Sequence, residues 1–585
     1  MTENPSNETI NENNEDGVGS AAPRHSRLSR ALNGFFRHID RGSTLKGEVM
    51  SGLTVFFLAV CVIFMNVQIV VNALGAGTIV ESSPEGPGNI ANGTVIATMY
   101  AGAMIVAFAG SMLVGLVARL PFVQISTMGL SSTMVSLLGT TNGLTYHNIL
   151  FVSFVAAVVY AVVVSVPVLR RYTFEALPRP VRKALPAATG LTVMLAAAQQ
   201  SGFVVAGPLT GGTTLLVATG GTDGVSTIAF VAVVVAVVAY VLLRALRVKH
   251  HVFWSVLGGT LTFAVVMLIA GGTNTSSPDS FVNFGRLWVM VGSQASEITP
   301  FGDSWFSYMA DGIGGAFADV GRVFTEGTSF AEGVNAPAFI IGGTLCYLFT
   351  GMYDAEATLR AVSDDVNAHS DARSLVLSED EKGGRLARIC NAGINVISPL
   401  FGMCGTTLSK TSVAGTRDGG RSGIVSIVAA LGFLVSLFVW VAPVLFATRT
   451  YVAGSMNDFN YNAYGNGGFI ATFTSLGFGV ADAVMVCVGA SMLRGLRDVD
   501  MRDIDESVPV IATLAVTLLT SCVAYGAAAG ALAYLAVRIC AFRVPGEGTV
   551  TALRRIPDSL RSVTVPNAVL CVLFVLMFVI IFALA

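Results

Sequence analysis

The sequence predicts an all-α polytopic membrane protein built as a 7+7 inverted repeat. The chain has 585 residues, of which 53% are hydrophobic and only 12% are charged, whereas soluble domains carry about a quarter charged residues. Its 63 glycines fit the same class, because glycine is more frequent in transmembrane helices than in soluble ones. Apolar stretches of about 20 residues, the length that spans a bilayer, recur along the chain.

Composition also excludes several function classes. The net charge of −2 gives no reason to expect a nucleic-acid partner. The cysteines form no CxxC or Cys/His cluster, so we expect no metal and no cofactor. No nucleophile–base constellation or phosphate loop rises above chance, and we therefore expect a protein that is not an enzyme.

The chain divides into five segments. Residues 1–46 form a predicted cytosolic polar tail, which ends in a basic stretch at 26–39 that is either a surface-bound amphipathic helix or a generic juxtamembrane segment. Two runs of apolar stretches, predicted as the two repeats, lie at 47–271 and 337–541, on either side of a polar insert at 272–336. A basic linker and a last apolar helix occupy 542–585.

Each repeat holds seven apolar stretches. The stretches of the first repeat lie at roughly 47–74, 96–118, 121–139, 147–169, 183–204, 225–246 and 251–271. Those of the second lie at roughly 337–360, 385–402, 404–418, 422–446, 468–493, 508–523 and 526–541. An odd number of crossings per repeat forces the two repeats into opposite orientations.

The third and tenth stretches are too short or too polar to be plain spans. They contain the hydroxyl-rich runs QISTMGLSS, from Gln124 to Ser132, and TTLSKTS, from Thr406 to Ser412. Inside a membrane such segments are tolerated only where their backbone lines a cavity or lies within protein. We therefore predict broken third and tenth elements beside a site near the bilayer midplane.

Loop charges predict the orientation. Lys and Arg concentrate in alternate loops, and one of these carries Arg373, Lys382, Arg385 and Arg388. Because cytosolic loops are the basic ones, the amino terminus is predicted to be cytosolic and the 272–336 insert extracytoplasmic. The expected location is the plasma (cytoplasmic) membrane.

Two acids interrupt the eighth stretch, in the island LFTGMYDAEATL at 348–359. A charge at bilayer depth costs several kcal/mol unless it faces a cavity or the bundle interior, so Asp354 and Glu356 mark a transport site. We predict that Asp354 couples transport to protons; the alternative is a structural aspartate that hydrogen-bonds to nearby backbone. Glu356 is a second coupling candidate, although it points to another helix face and could instead compensate Arg360 or Lys410.

Lys410, in the tenth stretch, has three open roles. Its ammonium could pair with Asp354 or Glu356, attract an anionic substrate, or extend to the membrane interface.

Several stretches, in order, resemble the nucleobase–cation symporter-2 superfamily and, within it, the AzgA-like purine permeases. They are residues 51–70, with Asn66 and Gln68; residues 184–202, with Gln199; the island at 348–359; and the turn GGRSG at 419–423. The resemblance covers about 47–541 without the insert. It implies a core domain of elements 1–4 and 8–11 and a gate domain of elements 5–7 and 12–14. It also implies a substrate between the third, eighth and tenth elements, usually taken up with protons.

The resemblance also implies which positions contact the substrate. Asp354 is kept, whereas Ser131 stands at an asparagine position of the family, Gly351 at an aspartate position and Thr411 at a glutamate position. Lys410 stands where the family has an apolar residue. The remaining predicted hydrogen-bonding residues of the substrate site are Gln124, Thr127 and Ser409, and Ser126 lies between the first two.

Three functions remain open from the sequence. The first is a symporter of a nucleobase, or of a related small planar solute, coupled to protons or Na⁺ and working by alternating access. The second is an anion transporter of the same fold, and the third is a non-transporting receptor or scaffold. Dimers are common for the fold, so a homodimer is expected by analogy.

Overall fold

A computed structural model describes most of the predicted membrane region. The described residues are 27–75, 93–127, 129–131, 144–170, 172–173, 176–200, 204–206, 215–217, 224–270, 303–330, 335–368, 382–403, 405–438, 484–490, 492–520, 522–540 and 565–584. Helices dominate these ranges, as predicted.

Most of the α-helices follow predicted apolar stretches, whereas α1 lies in the predicted tail and α9 in the predicted insert; most of the predicted stretch at 468–493 lies outside the described part. In chain order they are α1 (Arg27–Phe36), α2 (Leu45–Gly75), α3 (Gly93–Leu113), α4 (Tyr146–Ser165), α5 (Pro167–Arg170), α6 (Arg179–Gln200), α7 (Gly224–Ala245), α8 (His251–Ala270), α9 (Asp303–Thr325), α10 (Ala336–Ala368), α11 (Lys382–Ile397), α12 (Ser412–Arg417), α13 (Gly423–Phe438), α14 (Ile504–Thr520), α15 (Val523–Cys540) and α16 (Val565–Leu584). Three shorter helical segments adjoin them: a π-helix at Val114–Ala118 and 3₁₀ turns at Ser398–Phe401 and Leu493–Asp498.

The helix surfaces fit a lipid environment. Three helices of the described part are long and apolar enough to cross a membrane, at Thr98–Ala118, Tyr146–Ser165 and Ala336–Val366. Large aliphatic side chains are exposed along α16, where Val565, Val572 and Val579 recur at helical spacing. Such a face would be unfavourable in water and suits contact with acyl chains.

Two short strands form where the third and tenth elements were predicted to break. β1 (Gln124–Ser126) pairs antiparallel with β4 (Thr406–Leu408), with Ile125 opposite Thr407. The pairing satisfies backbone groups that a broken helix would leave without partners inside the protein. The prediction of broken third and tenth elements is confirmed. Their extended halves pair side by side, and we call this β1–β4 pair the strand crossing. A second small pair, β2 (Val204–Ala206) and β3 (Leu215–Val217), was not predicted.

The β1–β4 crossing lies in the middle of a helical bundle. α3 packs along β1, while α10 and α11 pack along β4. The helix α4 packs against both α10 and α11. Elements far apart in sequence therefore surround the crossing on several sides.

The 508–541 region, which was too short and polar for plain spans, forms the helix pair α14 and α15. These two helices pack against each other and against α6. Gly526 and Gly530 allow the close approach, because a Cβ at either position would overlap a threonine side chain of α14. This packing agrees with two crossings for the region.

Two buried carboxylates join the repeats near the turn GGRSG. Glu48 of α2 accepts hydrogen bonds from the backbone N–H groups of Arg421 and Ser422, at 2.9 and 3.2 Å, where α13 begins. Asp418 accepts a 2.8 Å hydrogen bond from the Thr54 hydroxyl and a 3.3 Å bond from the backbone N–H of Val252 at the start of α8. Acids at helix amino termini satisfy otherwise free N–H groups, so this turn fixes helix ends of both repeats.

The insert contributes a helix that packs on the bundle. α9 lies against α3 and against the 3₁₀ turn at Ser398–Phe401. The Asn148 amide of α4 donates to the carbonyls of Gly327 and Ser329 at 3.0 and 2.9 Å. His147 lies 3.2 Å from a carboxylate oxygen of Glu326. The predicted insert therefore holds a structured element, although residues 272–302 lie outside the described part.

Candidate functional site

Asp354 and Lys410 form an ion pair beside the strand crossing. Asp354 lies on α10 and is 2% exposed, and its Oδ1 is 2.8 Å from the Lys410 Nζ. Lys410 lies two residues after the end of β4 and two before α12 begins, so this part of the tenth element brings its ammonium to the eighth. Of the roles left open by the sequence, the structure supports pairing with Asp354 over extension to the interface.

The second oxygen of Asp354 contacts a hydroxyl. Thr407 Oγ1 donates to Asp354 Oδ2 at 3.2 Å. Thr407 is the middle residue of β4, and its side chain alternates in direction with those of Thr406 and Leu408. Each carboxylate oxygen of Asp354 thus has one contact from the tenth element. Thr407 belongs to the hydroxyl-rich run, but it was not singled out from the sequence.

Glu356 lies in a separate ion-pair cluster. Its two oxygens accept from Arg388 Nε and Nη2, both at 2.9 Å, in a bidentate pair. Arg360 adds a weaker contact, with its Nε 3.5 Å from Glu356 Oε1. The predicted compensation by Arg360 is present, and Arg388 is the stronger partner. These contacts give no support to the predicted coupling role of Glu356.

The position of Arg388 corrects part of the topology argument. It was counted among the basic residues of a cytosolic loop, yet it is only 8% exposed and lies within α11. A buried guanidinium with a carboxylate partner carries no information about loop charge. The orientation prediction therefore depends on the remaining basic residues.

Gln124 cross-links the two broken elements to α11. Its Nε2 donates to the Asn391 carbonyl at 3.0 Å and to Thr406 Oγ1 at 3.1 Å. The Ser111 hydroxyl accepts from the Gln124 backbone N–H at 3.1 Å. The amide is completely buried among α3, α11 and β4. These contacts give Gln124 a structural role. Its Oε1 has no hydrogen-bond partner in the described part, so the role in substrate binding stays a prediction.

The predicted hydroxyl residues are buried near the strand crossing. Ser409 Oγ and Thr411 Oγ1 are 2.8 Å apart, and the backbone N–H of Ser409 donates to the Val123 carbonyl at 2.8 Å. In the described part, the hydroxyls of three further residues have no hydrogen-bond partner; they are Ser126, Thr127 and Ser131. Buried hydroxyls without partners are costly, so they are candidates for contact with a solute or water.

Gly351 lies one helical turn before Asp354 on the same face of α10. A Cβ at this position would lie 3.6 Å from Leu130 Cδ2 and 3.8 Å from Asn395 Nδ2, both ordinary contacts. Position 351 therefore faces the first residues after β1 and the α11 helix. A Cβ would fit without overlap at this junction of the third, eighth and ninth elements.

Asn395 is a site candidate that sequence reasoning missed. It is completely buried, and its Oδ1 accepts from the Tyr347 hydroxyl at 2.7 Å and from the Thr406 backbone N–H at 3.2 Å. Asn391 and Asn395 are spaced four residues apart in the ninth apolar stretch. Two amides on one face of a membrane helix are the signal that could have identified them.

Comparisons with known proteins support a permease. The chain is similar to a putative permease of Methanocaldococcus jannaschii, with 24% identity and coverage of 86% of this chain and 92% of the relative. It is also similar to the guanine/hypoxanthine permease PbuG of Bacillus subtilis, with 24% identity over 86% of this chain and 93% of the relative. The adenine permease AdeP of Escherichia coli is 21% identical over 86% of this chain and 89% of its own length. No family model matches the chain.

Similar solved structures are transporters. The transmembrane domain of a cyanobacterial bicarbonate transporter, BicA, has a TM-score of 0.40 at 14% identity and covers 82% of this chain and 97% of its own. Murine Solute Carrier 26 family member A9, an anion transporter in the inward-facing state, has a TM-score of 0.42 at 12% identity and covers 90% of this chain and 74% of its own. The sequence relatives support a nucleobase permease, which is an integral membrane transporter and not an enzyme.

Proposed function

We propose that the protein is a secondary active transporter of a nucleobase or a related small planar solute, coupled to protons and working by alternating access. The observation that carries the proposal is the buried Asp354–Lys410 pair at the strand crossing, 2.8 Å between charged atoms. The named substrates of the relatives supply the solute class.

The pair offers a direct coupling chemistry. Protonation of Asp354 would remove the negative charge that holds the Lys410 ammonium. The freed ammonium could then hydrogen-bond to an acceptor atom of the solute, while the Thr407 hydroxyl remains beside the carboxyl group. Release of the proton would restore the ion pair and displace the solute. Proton and solute would therefore bind together and leave together.

Uptake into proteoliposomes tests this proposal. Labelled hypoxanthine should accumulate when the outside is one pH unit more acidic than the inside, up to about tenfold for one proton per solute. A protonophore should abolish accumulation. A Na⁺ gradient imposed at equal pH serves as the control for the coupling ion, and accumulation driven only by Na⁺ would reject proton coupling.

The Asp354→Asn variant tests the coupling residue. Asparagine keeps the size of the side chain but carries no exchangeable charge, so we expect binding and downhill exchange without accumulation. The inside-to-outside ratio should fall to about one. Accumulation at the wild-type level would reject Asp354 as the coupling group.

The same ammonium favours an anionic solute as the second candidate. A partly buried Lys410 would attract a deprotonated heterocycle or another organic or inorganic anion once Asp354 is neutralised. Competition by neutral bases and charged analogues should be compared in wild type and Lys410→Val. If only the charged analogues lose their competition in Lys410→Val, the solute is an anion. Identical competition profiles in both proteins would exclude a direct role for Lys410.

The domain organisation and location are part of the proposal. Elements 1–4 and 8–11 would form a core domain that carries the strand crossing, and elements 5–7 and 12–14 would form a gate. The boundaries would be those predicted, with repeats at 47–271 and 337–541.

The protein would lie in the plasma membrane with a cytosolic amino terminus, as a homodimer. Cysteine accessibility at the two ends of the helices would test the orientation.

A further inference from the structure

One end of the Asn395 amide, its Nδ2, has no hydrogen-bond partner in the described part, which suggests a role in selecting the solute. The Thr406 backbone N–H can only donate, so the atom that accepts from it, 3.2 Å away, must be the Asn395 oxygen. That contact fixes the amide orientation and leaves Nδ2 as the free end. In the described part, Nδ2 has no hydrogen-bond partner, although the residue is completely buried.

The free donor lies beside Gly351. Nδ2 is 3.8 Å from the position that a Cβ of Gly351 would occupy, and Leu130 Cδ2 is 3.6 Å from the same position. Gly351 and Asp354 share one face of α10, three residues apart. The donor is therefore about one helical turn from the Asp354–Lys410 pair along the same helix face.

A buried donor without an acceptor is destabilising, so such groups are usually satisfied by a ligand or by ordered water. The two nitrogen donors here, Lys410 Nζ and Asn395 Nδ2, approach one helix face from two different elements. Two donors at separate points suit a planar solute with acceptor atoms on its rim. Ring carbonyl oxygens are such acceptors, whereas exocyclic amino groups are donors.

We propose that Asn395 is a specificity-determining residue whose Nδ2 donates a hydrogen bond to a carbonyl oxygen of the solute. The site then selects oxo-substituted heterocycles over amino-substituted ones. This inference rests on the proposed function, since it assumes a planar heterocyclic solute, and it specifies the substrate class of that site.

Binding of four purines that differ in oxo substitution tests the inference. Adenine carries no ring carbonyl, hypoxanthine one, xanthine two and urate three. We expect wild-type protein in nanodiscs to bind xanthine more tightly than adenine, measured by thermal stabilisation at increasing ligand concentration. If none of the four binds, the proposed function itself fails.

Two variants address Asn395 in different ways. Asn395→Asp keeps an oxygen for Tyr347 and Thr406 but replaces the amide donor, and Gly351→Ser places a hydroxyl acceptor beside Nδ2 without changing Asn395. Each should weaken xanthine binding about ten- to hundredfold, the range expected for loss of one buried hydrogen bond. Adenine binding should change less than about threefold, since adenine makes no use of the donor.

Tyr347→Phe is the matched control. It removes the 2.7 Å hydrogen bond to the opposite end of the same amide and leaves Nδ2 unchanged, so the wild-type preference should persist. An unchanged xanthine-to-adenine ratio in both Asn395→Asp and Gly351→Ser, with a wild type that binds purines, would overturn the inference and leave the transporter proposal intact. If Asn395→Asp fails to fold, Gly351→Ser decides alone.

Discussion

Two carboxylates on one helix, Asp354 and Glu356, are both buried and both paired with cations, yet their surroundings differ. Glu356 meets the planar guanidinium of Arg388 through two hydrogen bonds of 2.9 Å, and both its oxygens are used. Asp354 meets a single ammonium on a flexible stem and a single hydroxyl. Bidentate pairs are rigid and geometrically specific, whereas an ammonium contact is readily rearranged. The comparison teaches that burial alone does not distinguish the two carboxylates, whereas the ease with which each could exchange its partner does.

The largest expected effect is on stability, at Glu356. Glu356→Gln would remove the carboxylate that makes the bidentate pair with the buried Arg388, which should cost about 3–5 kcal/mol of unfolding free energy. Asp354→Asn is the matched control and should cost about 1 kcal/mol, since the Lys410 side chain is 14% exposed and can move its ammonium toward water. SDS titration of the purified proteins measures both. Equal losses would break the distinction between the two pairs.

A smaller loss of stability is expected when the Arg388 guanidinium is replaced by another cation. Arg388→Lys retains a cation beside Glu356 but cannot make two parallel hydrogen bonds, so we expect a loss of about 1–2 kcal/mol. Transport should change little. A marked loss of uptake in Arg388→Lys protein that is still folded would indicate that the Glu356 cluster takes part in transport.

The smallest expected effect is at Thr407. Thr407→Val removes one 3.2 Å hydrogen bond to Asp354 with little change in shape, at a cost of about 0.5–1.5 kcal/mol. The same unfolding titration measures the cost. A loss as large as that of Glu356→Gln would contradict this ranking of the two pairs.

Much of this arrangement could be predicted from sequence, for a physical reason. Charged and hydroxyl residues are rare in membrane spans, so Asp354, Glu356 and Lys410 were visible without any structure. The broken elements were visible because they are short and polar. Both signals are local, and each depends only on a few consecutive residues.

The partners could not be predicted in the same way. The Glu356–Arg388 pair joins residues 32 positions apart, and Arg388 looked like an ordinary loop cation. Asn395 became a candidate only when the Thr406 N–H fixed its amide orientation, across a contact between two elements. Such contacts depend on how helices pack, which residue types alone do not specify.

The position of α9 on the helical bundle makes it a suitable attachment point for a label. Gly327, just after α9, accepts a hydrogen bond from Asn148 of α4, and α9 itself packs on α3. α3 contacts β1 directly, and α4 packs on the helices that contact β4. The exposed residues of α9, including Phe317 at 57% exposure, lie on a surface that is predicted to face outward. A fluorophore or antibody fragment attached there would follow those helices. If the protein works by alternating access, as proposed, the distance between such a label and α16 should change during transport.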